Sequence, residues 1–324
     1  MDGIFNMNKL PKVDILMAIY KPNLKWLEEQ LVSLNNQTYK NLNLIVWNDC
    51  PDDKFNYDEF FKKYINNFKF VIYKGKNNFG SNKAFEELTR LATGEYIAYC
   101  DQDDIWLPEK INVLVKYMIK SKADLICSDM YVIDKKGKIV ADKITKVRPH
   151  QIFYKGRNLF EYLFSKNFVT GCTTLVNAEF AKKTLPFPKE YVHDWWLALN
   201  AGANGKLEIV EDSLIKYRIH DTNQTGMLNG VNTKKDYYDK RIKLVKNRSE
   251  ILIERFADNK TLNKFAQFAK YRDLYYKQRN LKNFYNLFKL RYFNKLTTYF
   301  ELIMPILPEF IFKFIIKQIR NGNI

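Results

Sequence analysis

The stretch "YIAYCDQDDIWLPEK", Tyr96 to Lys110, runs an apolar segment straight into three carboxylates, Asp101, Asp103 and Asp104. Tyr96 to Cys100 reads as a buried strand. Pro108 suits the first turn of a helix, and Ile111, Leu114, Val115 and Met118 then recur at helical steps. A strand leading into a helix is the unit of a parallel α/β sheet, where ligands gather beyond the carboxyl ends of the strands. Three like charges this close repel, so they need water, basic side chains or a divalent cation around them. On these residues alone two readings stand: oxygen ligands for Mg²⁺ or Mn²⁺ on a substrate diphosphate, or caps for the coming helix from Asp103 or Asp104.

The same alternation surrounds this stretch. "VDILMAIY" (Val13 to Tyr20) predicts a strand, and Asn23 caps a helix carrying Leu24, Leu27, Leu31 and Leu34 at helical spacing. "LNLIVWN" and "FVIY" predict two more strands, and Ser81 to Ala92 a helix ended by Gly94. Beyond Ala123 the pattern is mixed. "DLICS" predicts a strand, "YVIDKKGKIV" a hairpin turning at Gly137, and "VTGCTTLV" another strand. "HDWWLALNAG" predicts a short helix, and "KLEIV" and "SLIKYRIH" two final strands. The expected fold is α/β, a mostly parallel mixed sheet flanked by helices, in one domain over residues 1–230.

Residues 231–324 read as a helical appendage. Between Tyr271 and Phe300 apolar residues, Leu281, Phe284, Phe288 and Leu296 among them, recur near the helical period with Lys and Arg between. In "LPEFIFKFIIKQIR" the polar Glu309, Lys313, Lys317 and Arg320 form one stripe, leaving Phe310, Ile311, Phe314, Ile315 and Ile319 on a broad apolar face. Such a face fits the inner surface of a membrane, and equally packing on the domain of residues 1–230 or on a second copy in a homodimer.

The chain of 324 residues is 46% apolar and 15% aromatic, enough for a sizeable core, and carries a net charge of +17. From Val231 onward 21 Lys and Arg face 8 Asp and Glu, so the basic excess belongs to the appendage. Nucleic acid, anionic lipid and phosphorylated substrates all suit such charge. Cys50, Cys100, Cys127 and Cys172 are scattered without metal-type spacing and read as reduced thiols. "MDGIFNMNKLPK" lacks a long apolar segment, and no window offers the ~18 apolar residues of a membrane span. The expected location is the cytoplasm, peripheral on the cytoplasmic face of the membrane.

Two further stretches lie past strand ends. "WNDCPDDK" places Asp49 where carboxylate hydrogen bonds could hold a base and ribose, although an Asp-rich turn uses the same letters. In "NNFGSNKAF", Gly80 permits close backbone approach and Lys83 can meet a phosphate, beside Asn77, Asn78 and Asn82; a capped loop is the plainer reading. Trp47 and Trp106 read as packing residues.

Taken in order, "ILMAIYKP", "EEQLVSLNNQTYKN", "WNDCPDD", "GEYIAYCDQDDIWLPEKI", "TGCTTLV", "HDWWLAL" and "YRIHDTNQTG" resemble family 2 glycosyltransferases of the GT-A (Rossmann-like) fold. The bacterial rhamnosyltransferase-like branch is the nearest match, over roughly Val13 to Gly226. The resemblance implies metal-dependent, inverting transfer from a nucleotide-sugar donor, UDP-hexose foremost and dTDP-rhamnose next. The implied acceptor is a hydroxyl of a growing surface polysaccharide or lipid-linked oligosaccharide.

It further implies that Asp101, Gln102 and Asp103 form the Asp-x-Asp element, with Asp103 ligating Mn²⁺ or Mg²⁺, Asp101 nearer the ribose, and His220 helping to hold metal or diphosphate. Asp49 matches the acid that reads the base, bordered by Ala18 and Tyr20; Asn78, Gly80, Lys83 and Arg218 are expected around the donor. Asp194 matches the catalytic base, and Gly171, His193 and Trp195 are expected to face the acceptor. His193 replaces a commoner Glu, and Asn48-Asp49-Cys50-Pro51 replaces a second Asp and a Gly-Ser pair. The alternatives are a basic nucleic-acid-binding protein without transferase activity, and a nucleotidyltransferase, for which no Gly-rich activating loop is present. A dinucleotide oxidoreductase fails for want of GxGxxG after the first strand. Nucleic acid is not an expected partner, since the charge excess avoids the segment that carries the acidic motifs.

Overall fold

The computed structural model describes residues 10–148, 151–220, 228 and 230–320. The N-terminal segment and residues 221–226 of the last motif lie outside them. The chain divides into two compact units, residues 1–220 and 221–324.

In the first unit β1 (Val13–Ile19), α1 (Leu24–Asn35), β2 (Leu42–Asn48), α2 (Tyr57–Tyr64), β3 (Lys69–Lys74), α3 (Ser81–Leu91) and β4 (Tyr96–Cys100) alternate strand and helix. β1 pairs parallel with β2 and β4, and β2 with β3, since each helical crossover returns the chain in the same direction. Asn23 caps α1 as expected, accepting from the amides of Lys25 and Trp26. There follow β5 (Ile105–Trp106), α4 (Lys110–Ser121), β6 (Leu125–Ile133), β7 (Ile139–Ala141), α5 (Phe160–Leu163), β8 (Thr174–Asn177), α6 (Ala178–Lys183), α7 (His193–Asn204) and β9 (Leu207–Arg218).

The sheet runs β3-β2-β1-β4-β8-β6-β9-β5, with β7 on β6. β8 lies antiparallel between β4 and β6, and β5 antiparallel to β9, so the sheet is mixed as expected. β2 and β3 lie on one side of β1 and β4 on the other. The strand order therefore reverses between β1 and β4, which opens a crevice at their carboxyl ends.

Some local expectations give way. The two final strands are one, β9, with exposed Glu211 and Asp212 in the middle, where its register against β6 shifts. In "VTGCTTLV" only the end is strand. Residues Gly171–Thr173 form a tight 3₁₀ turn, because the Thr173 and Thr174 hydroxyls donate to the carbonyls of Thr170 and Gly171. Neither Asp103 nor Asp104 caps α4; Glu109 holds that position without a side-chain bond.

The second unit contains α8 (Lys234–Tyr237), α9 (Leu244–Arg255), α10 (Lys260–Lys277), α11 (Leu281–Lys289), α12 (Lys295–Ile303) and α13 (Glu309–Arg320). The amphipathic run across residues 271–300 breaks where Asn280 and Asn294 each accept an amide three residues on and start a new helix. Within this unit Arg272 on α10 donates Nε and Nη2 to the Glu301 carboxylate on α12 at 2.7 and 2.5 Å, and the Tyr237 hydroxyl meets the same group at 3.0 Å. The pair is almost wholly buried. Removing one partner strands the other charge, so Arg272→Met or Glu301→Leu alone is expected to cost ~3–5 kcal/mol in denaturant unfolding of the full chain. The double replacement should recover most of that loss.

Candidate active site

The β4 turn is tied to the end of β1 by Gln102, whose side-chain oxygen accepts from the Tyr20 amide at 2.9 Å while its nitrogen donates to the Tyr20 carbonyl at 3.3 Å. Asp101 and Asp103 are thereby held at the switch point. Asp103 Oδ2 lies 2.9 Å from His220 Nε2, just past β9, and the His220 ring packs on Trp26 of α1 with centroids 4.9 Å apart. Arg218 is 1% exposed. Its Nε donates to the Asp103 carbonyl at 2.8 Å and its Nη2 meets Glu29 of α1 at 2.5 Å. Burial turns the Arg218 guanidinium into the wall that fixes the acidic turn.

Asp104 is fully buried, and its Oδ1 accepts from the Arg218 amide at 2.9 Å. Its carboxylate, that of Asp101 and the Cys172 sulfur lie within 4.8 Å of one another. Beneath them sits buried Lys110, donating to the Cys172 carbonyl and standing 3.3 Å over the Trp106 ring, with burial pushing its pKa down to about 8. This inner group mixes a thiol with a resident ammonium. The outer pair of Asp103 and His220 is free of both the thiol and the ammonium and fits a hard divalent cation better. Burial, then the charges of Asp103 and Asp194, push Asp101 up to about 7.

Asp194 enters from α7. In the first helical turn its Oδ2 accepts from the Gly171 amide at 2.9 Å and its Oδ1 from Asn167 Nδ2 at 3.3 Å. Burial pushes its pKa up to about 6, opposed by the bonds from Gly171, Trp195 and Asn167. A carboxylate fixed by two donors and poised near neutrality has the makings of a general base.

Gly171 is buried and positions Asp194. His193 is 9% exposed, packed on Phe85 and Tyr99 with centroids 4.2 and 4.7 Å away, and burial drives its pKa down to about 3. It sits in the core, beside Gly171. Trp195 is half-buried and donates to the Leu163 carbonyl at 2.7 Å. A Cβ at Gly171 would fall 2.6 Å from the clamped His193 Nε2. Gly171→Ala is therefore expected to cost ~1–3 kcal/mol through overpacking, read as a lowered melting temperature, and to slow turnover by moving Asp194.

On the other side of Tyr20 a cleft of about 770 Å³ is lined by Tyr20, Lys21, Cys50, Asp52, Asn78 and neighbouring residues. Ala18, the penultimate residue of β1, is partly exposed. Asp49 is 3% exposed. Its two oxygens accept from the Phe79 and Gly80 amides and from Trp47 Nε1, so it ties down the 79–80 loop rather than lining the cleft. Gly80 takes φ +79, which suits glycine. Lys83 pairs with Glu86 and Glu87 on its own helix. Asp52 and Asp53 form the acidic part of the lining.

Trp26, Glu29, Lys110 and Asn167 escaped the sequence reading. The only local signal was their place in the quoted stretches or beside them, since each acts through a partner far along the chain.

The glycosyl transferase family 2 model matches residues 14–185. An uncharacterised glycosyltransferase of Methanocaldococcus jannaschii is 30% identical over 233 residues, 70% of this chain and 77% of that protein. The Escherichia coli protein named UDP-Glc:alpha-D-GlcNAc-diphosphoundecaprenol beta-1,3-glucosyltransferase WfgD is 24% identical over 214 residues, 64% of this chain and 78% of its own. Among solved structures, S. aureus TarS 1-349 in complex with UDP-GlcNAc aligns with a TM-score of 0.58 at 15% identity, covering 86% of this chain and 79% of that one.

Proposed function

The chain belongs to glycosyltransferase family 2, and on that premise we propose that it passes a hexose from UDP to an acceptor hydroxyl with inversion at the anomeric carbon. Its fold is GT-A, and it is a glycosyltransferase that uses a nucleotide-sugar donor. The observation that carries the finer reading is that Asp194 arrives from another part of the chain onto the Gly171 amide, next to Cys172, whose sulfur lies within 4.8 Å of the Asp101 carboxylate. UDP-hexose is favoured because the E. coli relative's name specifies UDP-Glc and the S. aureus neighbour holds UDP-GlcNAc. The same relative's diphosphoundecaprenol acceptor favours a lipid-linked oligosaccharide, or the polysaccharide grown from it, at the cytoplasmic face of a membrane.

Asp194, as carboxylate, takes the proton of the acceptor hydroxyl as its oxygen attacks the anomeric carbon. One displacement from the face opposite the diphosphate inverts that carbon. Gly171 and Asn167 hold the base in place, and Gln102 keeps the β1 and β4 ends together under the donor. Asp103 and Asp101, with His220, would hold Mn²⁺ or Mg²⁺, which supplies charge neutralisation to the departing diphosphate. A nucleic-acid-binding reading leaves this acidic crevice without a purpose.

The test is a panel of UDP-glucose, UDP-GlcNAc, dTDP-rhamnose and GDP-mannose with Mn²⁺, following nucleoside diphosphate release and the anomeric configuration of the product. Release from a UDP-sugar with inversion is expected. Preference for dTDP-rhamnose would replace the donor, and a retained configuration would remove the single displacement.

A further inference from the structure

Three helices of the second unit are apolar on the side that should be polar, and we propose that this outward face seats the enzyme on an anionic lipid bilayer. α13 buries Phe312 and Ile316 in the unit's own core. At helical spacing Phe310 and Phe314 fall on the opposite side, 73% and 61% exposed, beside exposed Lys313 and Lys317. This corrects the single broad face read from the sequence, because Ile311, Ile315 and Ile319 are partly covered. α12 repeats the arrangement, with Thr298, Glu301 and Leu302 inward and Leu296, Tyr299 and Ile303 outward. α11 does so again, burying Asn283 and Leu287 while Leu281 stands 89% exposed. Phe288 of α11 and Tyr299 of α12 approach to 6.4 Å between centroids, which joins two of these faces.

A helix at a protein surface normally carries one apolar stripe; a second one exposed beside it marks a contact surface. Charge chooses the occupant. The three helices carry Lys282, Lys289, Lys295, Lys313 and Lys317 against Glu301 and Glu309, with Glu301 taken up by Arg272 and Arg320 by the Leu228 and Val231 carbonyls. Two copies apposed through this face would bring like charges together, whereas anionic headgroups meet the cations while the apolar side chains enter ~5–10 Å below them. Nucleic acid would satisfy the lysines and leave Leu281, Leu296 and Phe310 in water. Among the described residues no helix is long and apolar enough to cross a membrane, so this attachment is to the surface. The inference rests on the proposed function in one respect: a lipid-linked acceptor places the substrate on the same surface.

The full-length protein should be sedimented with mixed phosphatidylglycerol and phosphatidylcholine vesicles and with phosphatidylcholine alone, with UDP-glucose hydrolysis followed in the same samples. Wild type is expected to co-sediment with the anionic vesicles at low salt. Joint Phe310→Ser and Phe314→Ser replacement should weaken that partition at least about tenfold, and joint Lys313→Glu and Lys317→Glu replacement should remove the preference for anionic lipid. Both variants should keep donor hydrolysis, since neither pair belongs to the crevice. Wild type that stays in the supernatant, or variants that sediment like wild type, would overturn the proposal. So would DNA retention without vesicle binding, or a wild-type dimer that only the Phe variant dissociates while vesicle binding stays unchanged. If no donor is hydrolysed but sedimentation still follows the variants, the docking surface stands and the proposed reaction falls.

Discussion

Asp103→Ala is expected to lower transfer at least about a thousandfold while the protein stays folded, because the lost group serves the charge that grows on the departing diphosphate. The side chain is partly exposed and hydrogen-bonds His220 Nε2, whose ring keeps its packing on Trp26 when the carboxylate is removed. The Asp103 carbonyl, which accepts from buried Arg218, survives the substitution and keeps the turn in place. Calorimetry should show Mn²⁺-dependent UDP binding in the wild type and none in the variant, with the two melting curves within a few degrees. Excess EDTA should bring wild-type turnover down to the variant's level. Near-normal turnover in Asp103→Ala, or indifference of the wild type to EDTA, would remove Asp103 from its proposed role.

Asp194→Asn separates binding from chemistry. UDP affinity should hold, and transfer should fall by at least about a hundredfold, the low end for loss of a positioned base. The working form is the carboxylate, and burial pushes its pKa up to about 6. The wild-type rate should therefore rise about tenfold per pH unit below that value and level off above it. In the variant this limb disappears. The stability sign runs the other way: with the folded pKa above that of a free carboxyl, the folded state holds the proton more tightly, and this contribution is present at low pH and lost as pH rises through about 6. Asn carries no charge to bury but has one acceptor oxygen for the Gly171 and Asn167 donors, so the two effects oppose each other and the variant should melt within a few degrees of wild type at neutral pH. Loss of UDP binding in a folded variant would move Asp194 into the donor pocket.

The alternation from β1 to β4, the Asn23 cap and the acidic turn after Cys100 were legible in the letters, because strand and helix periods and cap chemistry act over a few neighbouring residues. The α/β class follows from that alternation, and the motif order pointed to the family. Beyond the strand ends no period constrains a side chain, and there its direction is set from elsewhere. Asp103 stays at the surface and its neighbour Asp104 is buried because β9 and α1 close over the turn, bringing the Arg218 amide to Asp104 and its guanidinium to Glu29, 189 positions away. His193 and Asp194 are adjacent in sequence, yet Phe85 and Tyr99 clamp the first in the core while the Gly171 amide fixes the second toward Asp101. The sequence by itself determined which elements form and which carboxylates cluster. The tertiary structure alone decided which of them face a ligand, since burial is set by whatever distant segment packs over each group, and that partner cannot be read from the residues beside it.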